Sequence, residues 1–173
     1  MPETEPASIG DLLVDIKSNA AADRFSDPTE ARKKAMDYLA RREHSRDELC
    51  RKMEKVGFDA NVALDAIEQL RKDGLQSDRR FTDAFVQSRI NQGKGPTRIR
   101  ADLKQRGIRD AMIHEALRET EQDWYALARE TRTKKFGTAE PVDFKDKARQ
   151  MRFLQYRGFE PDQIQVAVSA DDE

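Results

Sequence analysis

Residues 99–117 read IRADLKQRGIRDAMIHEAL, with one glycine, Gly107, between two apolar patterns of helical spacing. Before it, Ile99 and Leu103 stand four apart, one helical turn. After it, Ile113, Ala116 and Leu117 continue the period on a second segment. Glycine ends a helix at little cost because it enters the left-handed C′ conformation freely. Ile108 behind it can fold back on the helix just left. The stretch predicts a helix, a glycine joint and a second helix.

The same pattern recurs in residues 49–67, LCRKMEKVGFDANVALDAI, and in residues 150–168, QMRFLQYRGFEPDQIQVAV. Their glycines, Gly57 and Gly158, lie about 50 residues on either side of Gly107. Met53, Leu103 and Leu154 come four before the glycine, and Phe58, Ile108 and Phe159 directly after it. Ala63, Ile113 and Ile164 follow by six, and Ala66-Ile67, Ala116-Leu117 and Ala167-Val168 by nine and ten. Such internal repetition marks stacked units. An earlier helix is predicted before each pair, over 35–42, 81–91 and 124–135. The expected fold is all-α: three tandem three-helix repeats, over 29–76, 77–120 and 121–170, in an elongated, curved stack. No alternating pattern suggests a strand.

Local signals agree. Ser45 stands three before Glu48, a capping-box spacing. Pro96 fits a first helical turn, where its missing N–H costs nothing. Residues 136–144, FGTAEPVDF, read as a loop inside the third repeat. Residues 1–28 read as a mobile acidic tail, because the DLLVDI stretch is their one helix-like segment.

Charged residues make up 38% of the 173-residue chain and hydrophobic ones 37%, which suits a thin stack better than one thick core. The single cysteine, Cys50, excludes an internal disulfide and fits a reducing compartment. The start lacks a signal-peptide pattern, and no apolar run is long enough for a membrane span. A soluble cytoplasmic protein without a membrane partner is expected. The net charge of −1 hides an asymmetry. Residues 1–30 hold two Lys/Arg and seven Asp/Glu, whereas residues 86–109 hold seven Lys/Arg and only Asp102 as an acid. That asymmetry points to a polyanion or an acidic protein as partner.

Residues 89–108, RINQGKGPTRIRADLKQRGI, carry most of that charge. The segment could be a phosphate-gripping loop, a nucleic-acid contact or a helix joint. A P-loop needs a different glycine spacing and a preceding strand. Here the glycines let the chain turn and Pro96 starts a helix, whose free N–H groups beside Lys94 make a candidate anion site. Ile99 and Leu103 face inward. Arg100 and Lys104 share one flank, Arg98 and Arg106 the other. Arg89, Lys94, Arg98, Arg100, Lys104 and Arg106 are the candidate contact residues; the plainer alternative is a solvated helix face. His44 and His114 have no metal-ligand spacing, Cys50 sits beside a core stripe, and Asp47-Glu48 suit a first helical turn. Trp124 and Tyr125 read as packing between repeats rather than a base-stacking platform. No nucleophile, base and orienting group come together. A binding protein is expected, with no catalytic residues, metal or cofactor.

Two stretches resemble the RecX family of bacterial regulators of the RecA recombinase. They are AMDYLARREHSRDELCRKMEKVGF (35–58) and SDRRFTDAFVQSRINQGKGPTRIRADLKQRGI (77–108). The second carries the family's most distinctive pattern: Asp78, Phe81, Phe85, Arg89, Lys94-Gly95-Pro96, Ile99, Leu103, Gly107 and Ile108. The first matches through Tyr38-Leu39, Arg42, Ser45, Glu48-Leu49 and Gly57. The resemblance covers about residues 30–168 and is looser in the third repeat. It implies an all-helical repeat protein without cofactor; a monomer is expected. It also implies that the protein lies in the groove of the RecA–single-stranded DNA filament, with weak direct contact to DNA left open. There it restrains strand exchange, ATP hydrolysis and the coprotease activity that triggers the damage response. A long thin stack suits bridging of neighbouring filament subunits through several weak contacts. The alternative is a helix-turn-helix-like DNA-binding protein, which needs base-reading side chains on one recognition helix. Against it, the third helices here, ANVALDAIEQLRKDG and IRDAMIHEALRETEQD, are acidic or mixed. A scaffold that binds no filament is a further alternative.

Overall fold

The structure is a computed structural model and describes residues 8–169. Among these the chain is entirely helix, turn and loop, and it divides into two compact units, Met1–Ser77 and Asp78–Glu173.

The first unit holds α1 (Ile9–Ser26), α2 (Pro28–Leu39), α3 (Arg46–Val56) and α4 (Ala60–Lys72). α2 starts earlier than its periodicity indicates, because Asp27 caps it by accepting the Thr29 N–H and Pro28 supplies a preset first turn. Ser45 caps α3 through the Glu48 N–H at 3.1 Å. Gly57, at φ 118°, ends α3, and Phe58 behind it turns into the core. The interior is Ala31, Ala35, Leu49, Met53, Phe58, Ala63, Ala66, Ile67 and Leu70. The facing alanines of α2 and α4 keep these two helices close and leave Leu and Met to fill the space beside them.

α1 corrects the expectation of a mobile tail over residues 1–28. Residues 1–7 lie outside the described residues, but Ile9–Ser26 form a helix. Its alanine-rich second half favours that state. Its end is fastened: the Phe25 ring meets Phe58 edge-on at 5.2 Å, and the Phe25 carbonyl accepts the Asp59 N–H at 3.1 Å.

His44 sits at the α2–α3 joint, 2% exposed. Its Nδ1–H donates to the Arg42 carbonyl at 3.0 Å, which leaves Nε2 to accept from the Lys52 ammonium, also at 3.0 Å. The Tyr38 ring stands 6.0 Å away with Lys34 and Lys52 over it. Gln76 Nε2 donates to the His44 carbonyl.

The second unit holds α5 (Asp78–Asn91), α6 (Pro96–Gln105), α7 (Asp110–Glu119), α8 (Trp124–Phe136), α9 (Phe144–Arg157) and α10 (Pro161–Val168). One continuous core, from Phe81 and Ile90 through Ile99 and Leu103 to Leu154, Phe159 and Val168, serves all six. Arg79, paired along α5 with Asp83, braces α5 against α7 through Glu115 and Glu119. The buried Arg132 of α8 donates to Gln150 of α9 and to the Ala139 carbonyl, fixing the loop that leads into α9.

The second and third repeats are joined backbone to backbone. The end of α9 meets the start of α6: the Gly95 N–H donates to the Arg157 carbonyl at 2.9 Å, and the Thr97 N–H to the Gly158 carbonyl at 3.0 Å. Donors that a helix start leaves unpaired thus satisfy acceptors that a helix end leaves unpaired, and the two dipoles meet with opposite ends. No side chain fits there. A Cβ on Gly95 would fall less than 3.0 Å from the Gly158 carbonyl, and one on Gly158 equally close to the Arg98 backbone. The Gly95 N–H and its neighbour are therefore not the free anion site expected from the sequence; the protein's own carbonyls occupy them.

Two expectations follow. Gly95→Ala lowers the stability of the second unit by about 3 kcal/mol, since backbone must move. Gly74→Ala, at φ 74° but with nothing within 4 Å, costs about 1 kcal/mol. Equal shifts in chemical denaturation would show that the close approach is not needed. For His44, burial and then Arg42 lower its pKa below the ordinary value of 6.5, and Lys52 adds to this. The unfolded chain therefore takes up a proton that the folded chain refuses. Stability is full above about pH 6.5 and declines as pH falls below it. His44→Gln removes that part of the pH dependence in urea melts from pH 8 to about pH 5.

Candidate functional site

α6 places its cations by burying Ile99 and Leu103 on the opposite side. The six candidate residues then divide. Arg89, at the end of α5, and Arg106, past the end of α6, lay their guanidinium groups over the Phe85 ring at 4.4 and 4.7 Å. Asp102, mostly buried, organises both: its carboxylate stands 3.8 Å from Arg89, and its carbonyl accepts Arg106 Nη1 at 2.8 Å. The same carboxylate pairs with Arg98 at 3.2 Å. Lys104 reaches Asp110 at 2.9 Å across the α6–α7 joint. Arg100 has no carboxylate partner among the described residues and stands half-buried on the other flank. The structure thus gathers Arg89, Lys94 and Arg98, keeps Arg106 beside them, and sets Arg100 and Lys104 apart.

Lys94 shows how little of this charge is neutralised. Its pKa is pushed down, first by burial and then by the cations Arg157, Arg98 and Arg89, with Asp102 opposing. Arg157 is the member that sequence reasoning missed. It comes from α9, donates to the Gln92 carbonyl at 3.0 Å and stacks on Phe153. A signal existed: Arg106-Gly107 and Arg157-Gly158 occupy the same place in two repeats. The two arginines take up related positions because each precedes a left-handed glycine, φ 77° and 94°.

Beside this cluster lies a cleft of about 580 Å³ with Ile90, Leu127 and Phe153 on its floor and Lys134, Lys135 and Arg157 at its rim. It is open, and the carboxylate in its lining, Glu130, is paired with Lys134 at 2.6 Å. Among the described residues no three His, Cys, Asp or Glu side chains come close enough to hold a metal, and no helix is long and apolar enough to cross a membrane. Cys50 is half-buried and its thiol pKa is raised by burial, consistent with a packing role.

Family models for the first, second and third three-helix domains of RecX match residues 31–70, 77–117 and 121–168. The chain belongs to the RecX family. The regulatory protein RecX of Halorhodospira halophila is 44% identical over 139 residues, covering 80% of this chain and 86% of that one. The regulatory protein RecX of Pseudomonas savastanoi pv. phaseolicola is 45% identical over 137 residues, covering 79% and 88%. A crystal structure of regulatory protein RecX superposes with a TM-score of 0.69 at 21% identity, over 96% of this chain and 80% of the other. The crystal structure of RecX from Lactobacillus salivarius gives 0.66 at 20% identity, over 85% and 96%. RecX proteins are regulators rather than enzymes, and the all-α fold of three-helix repeats read from the sequence is that of the family.

Lys94 gives a direct check on the electrostatics of the cluster. Its amine should be acetylated at lower pH than the exposed lysines, and Arg157→Gln should move its reaction midpoint upward, because a neighbouring cation is gone. Site-resolved mass spectrometry of acetylation against pH measures both.

Proposed function

We propose that this RecX-family chain acts in the cytoplasm as a monomer that binds RecA and the RecA–single-stranded DNA filament. It restrains ATP hydrolysis, strand exchange and the coprotease activity. The reading is supported by the family match along all three repeats. The physical feature that suits it is the cationic face around Lys94, with many positive groups and one shared carboxylate. Arg89, Lys94, Arg98 and Arg106 form one part of the grip; Arg100 and Lys104 form the other. The partner groups are RecA's acidic side chains, the DNA phosphates of the filament, or both, with any contact to bare DNA weak.

The test is RecA's DNA-dependent ATPase. Substoichiometric protein should lower it, because one bound molecule bridges several subunits; an unchanged rate at equimolar protein would defeat the reading. Arg100→Ala/Lys104→Ala should bind the filament more weakly. If both residues meet phosphates, the logarithmic salt slope should fall by about 1.4. Weaker binding to DNA-free RecA would instead place acidic side chains opposite this flank.

A further inference from the structure

The outer side of α9 carries a row of cations ending in an aromatic ring. Lys145, Arg149, Arg152 and Tyr156 are spaced i, i+4, i+7 and i+11, which puts them on one stripe. Gln150 and Leu154 on the far side are buried. All four residues of the row are exposed, Tyr156 by 71%. The stripe is about 16 Å long. Asp146 is the helix's one acid, and it is already engaged by Arg149 at 2.7 Å and by the Val142 N–H. Lys145 and Arg152 have no carboxylate partner among the described residues. At the end of the row the Arg98 guanidinium lies 5.8 Å from the centre of the Tyr156 ring. The row therefore runs into the cluster around Lys94 without a gap in charge. α9 itself is held in place from behind by the Arg132–Gln150 bond and by its junction with α6.

We propose that this stripe is a binding site for a single-stranded nucleic acid. Lys145, Arg149 and Arg152 meet successive phosphates, and Tyr156 stacks on an unpaired base. The inference rests on the reading of the neighbouring cationic face as the part that meets the nucleoprotein filament, and adds the ligand class of its α9 extension. The exposed tyrosine decides between partners. An acidic protein surface would engage the cations and leave the ring without a role, and a duplex keeps its bases stacked inside. An unpaired base offers a flat face to the ring while its phosphate meets the neighbouring arginine.

The experiment is fluorescence anisotropy of labelled oligo-dT titrated with the full chain across a salt series. Lys145→Ala/Arg152→Ala removes two cations that have no carboxylate partner among the described residues, and the logarithmic salt slope should fall by about 1.4. Tyr156→Ala should weaken binding about tenfold with the slope unchanged, while Tyr156→Phe keeps wild-type affinity. Circular dichroism verifies folding. The proposal is overturned if the wild type does not bind oligo-dT, if both alanine variants bind like wild type, or if Tyr156→Phe loses as much as Tyr156→Ala. It is equally overturned if duplex DNA competes as well as oligo-dT. Intact oligo-dT binding by Lys145→Ala/Arg152→Ala with weaker binding to DNA-free RecA would assign the row to an acidic protein instead. RecA's ATPase is read separately. An unaffected ATPase beside the expected oligo-dT results supports the α9 site and removes the RecA reading alone.

Discussion

Two hydrogen bonds between peptide groups, Gly95 to Arg157 and Thr97 to Gly158, hold the second unit in the form that everything on its surface needs. They join the end of one helix to the start of another with no side chain between them, so the backbones stand as close as the chain allows. Arg157 is carried into the cluster around Lys94 by this junction, and Arg98 is carried over Tyr156. Without it the second and third repeats would keep their own helices and lose the shared charge pattern.

That charge pattern is a matter of counting counter-ions. Asp102 serves two guanidinium groups with its carboxylate and a third with its carbonyl. It orients the arginines without neutralising them. Phe85 completes the arrangement by offering its ring to Arg89 and Arg106. The result is a set of cations fixed in direction, which reduces the entropy lost when a partner binds. A solvated helix face would need none of these supports.

What could be read from the sequence follows the range of the contacts. The helix ends at Gly57, Gly107 and Gly158, the start at Pro96 and the inward stripe of Ile99 and Leu103 all depend on neighbours a few residues away, and periodicity carries them. The anchoring of α1 does not: Phe25 finds Phe58 in the joint between α3 and α4, and nothing near Phe25 announces it. The same holds for the α6 donors, which looked free because their acceptors lie in another repeat. Of the contact residues, the six named cations were legible as charge and the two flanks of α6 as spacing, whereas the gathering of Arg89, Lys94 and Arg157 beside the Arg98 flank was not, because it is set by contacts between helices. The α9 row was visible as spacing; that its far side faces core, and that Arg98 extends it, required the fold.

The junction between α9 and α6 also sets an order of events during synthesis. The N–H groups of Gly95 and Thr97 are made roughly 60 residues before the carbonyls that will receive them. At a ribosomal rate of about 5–20 residues per second, the first turn of α6 waits about 3–12 seconds, bonded only to water. Through that interval the second repeat exists without its finished core, and Ile90, Leu103 and the other side chains that will face α8 to α10 stay open to passing hydrophobic surfaces. The first unit, whose core draws on nothing beyond Ser77, has all its residues polymerised before this wait begins. The chain is thus built so that its vulnerable stage falls late, with the final helix closing what the sixth began.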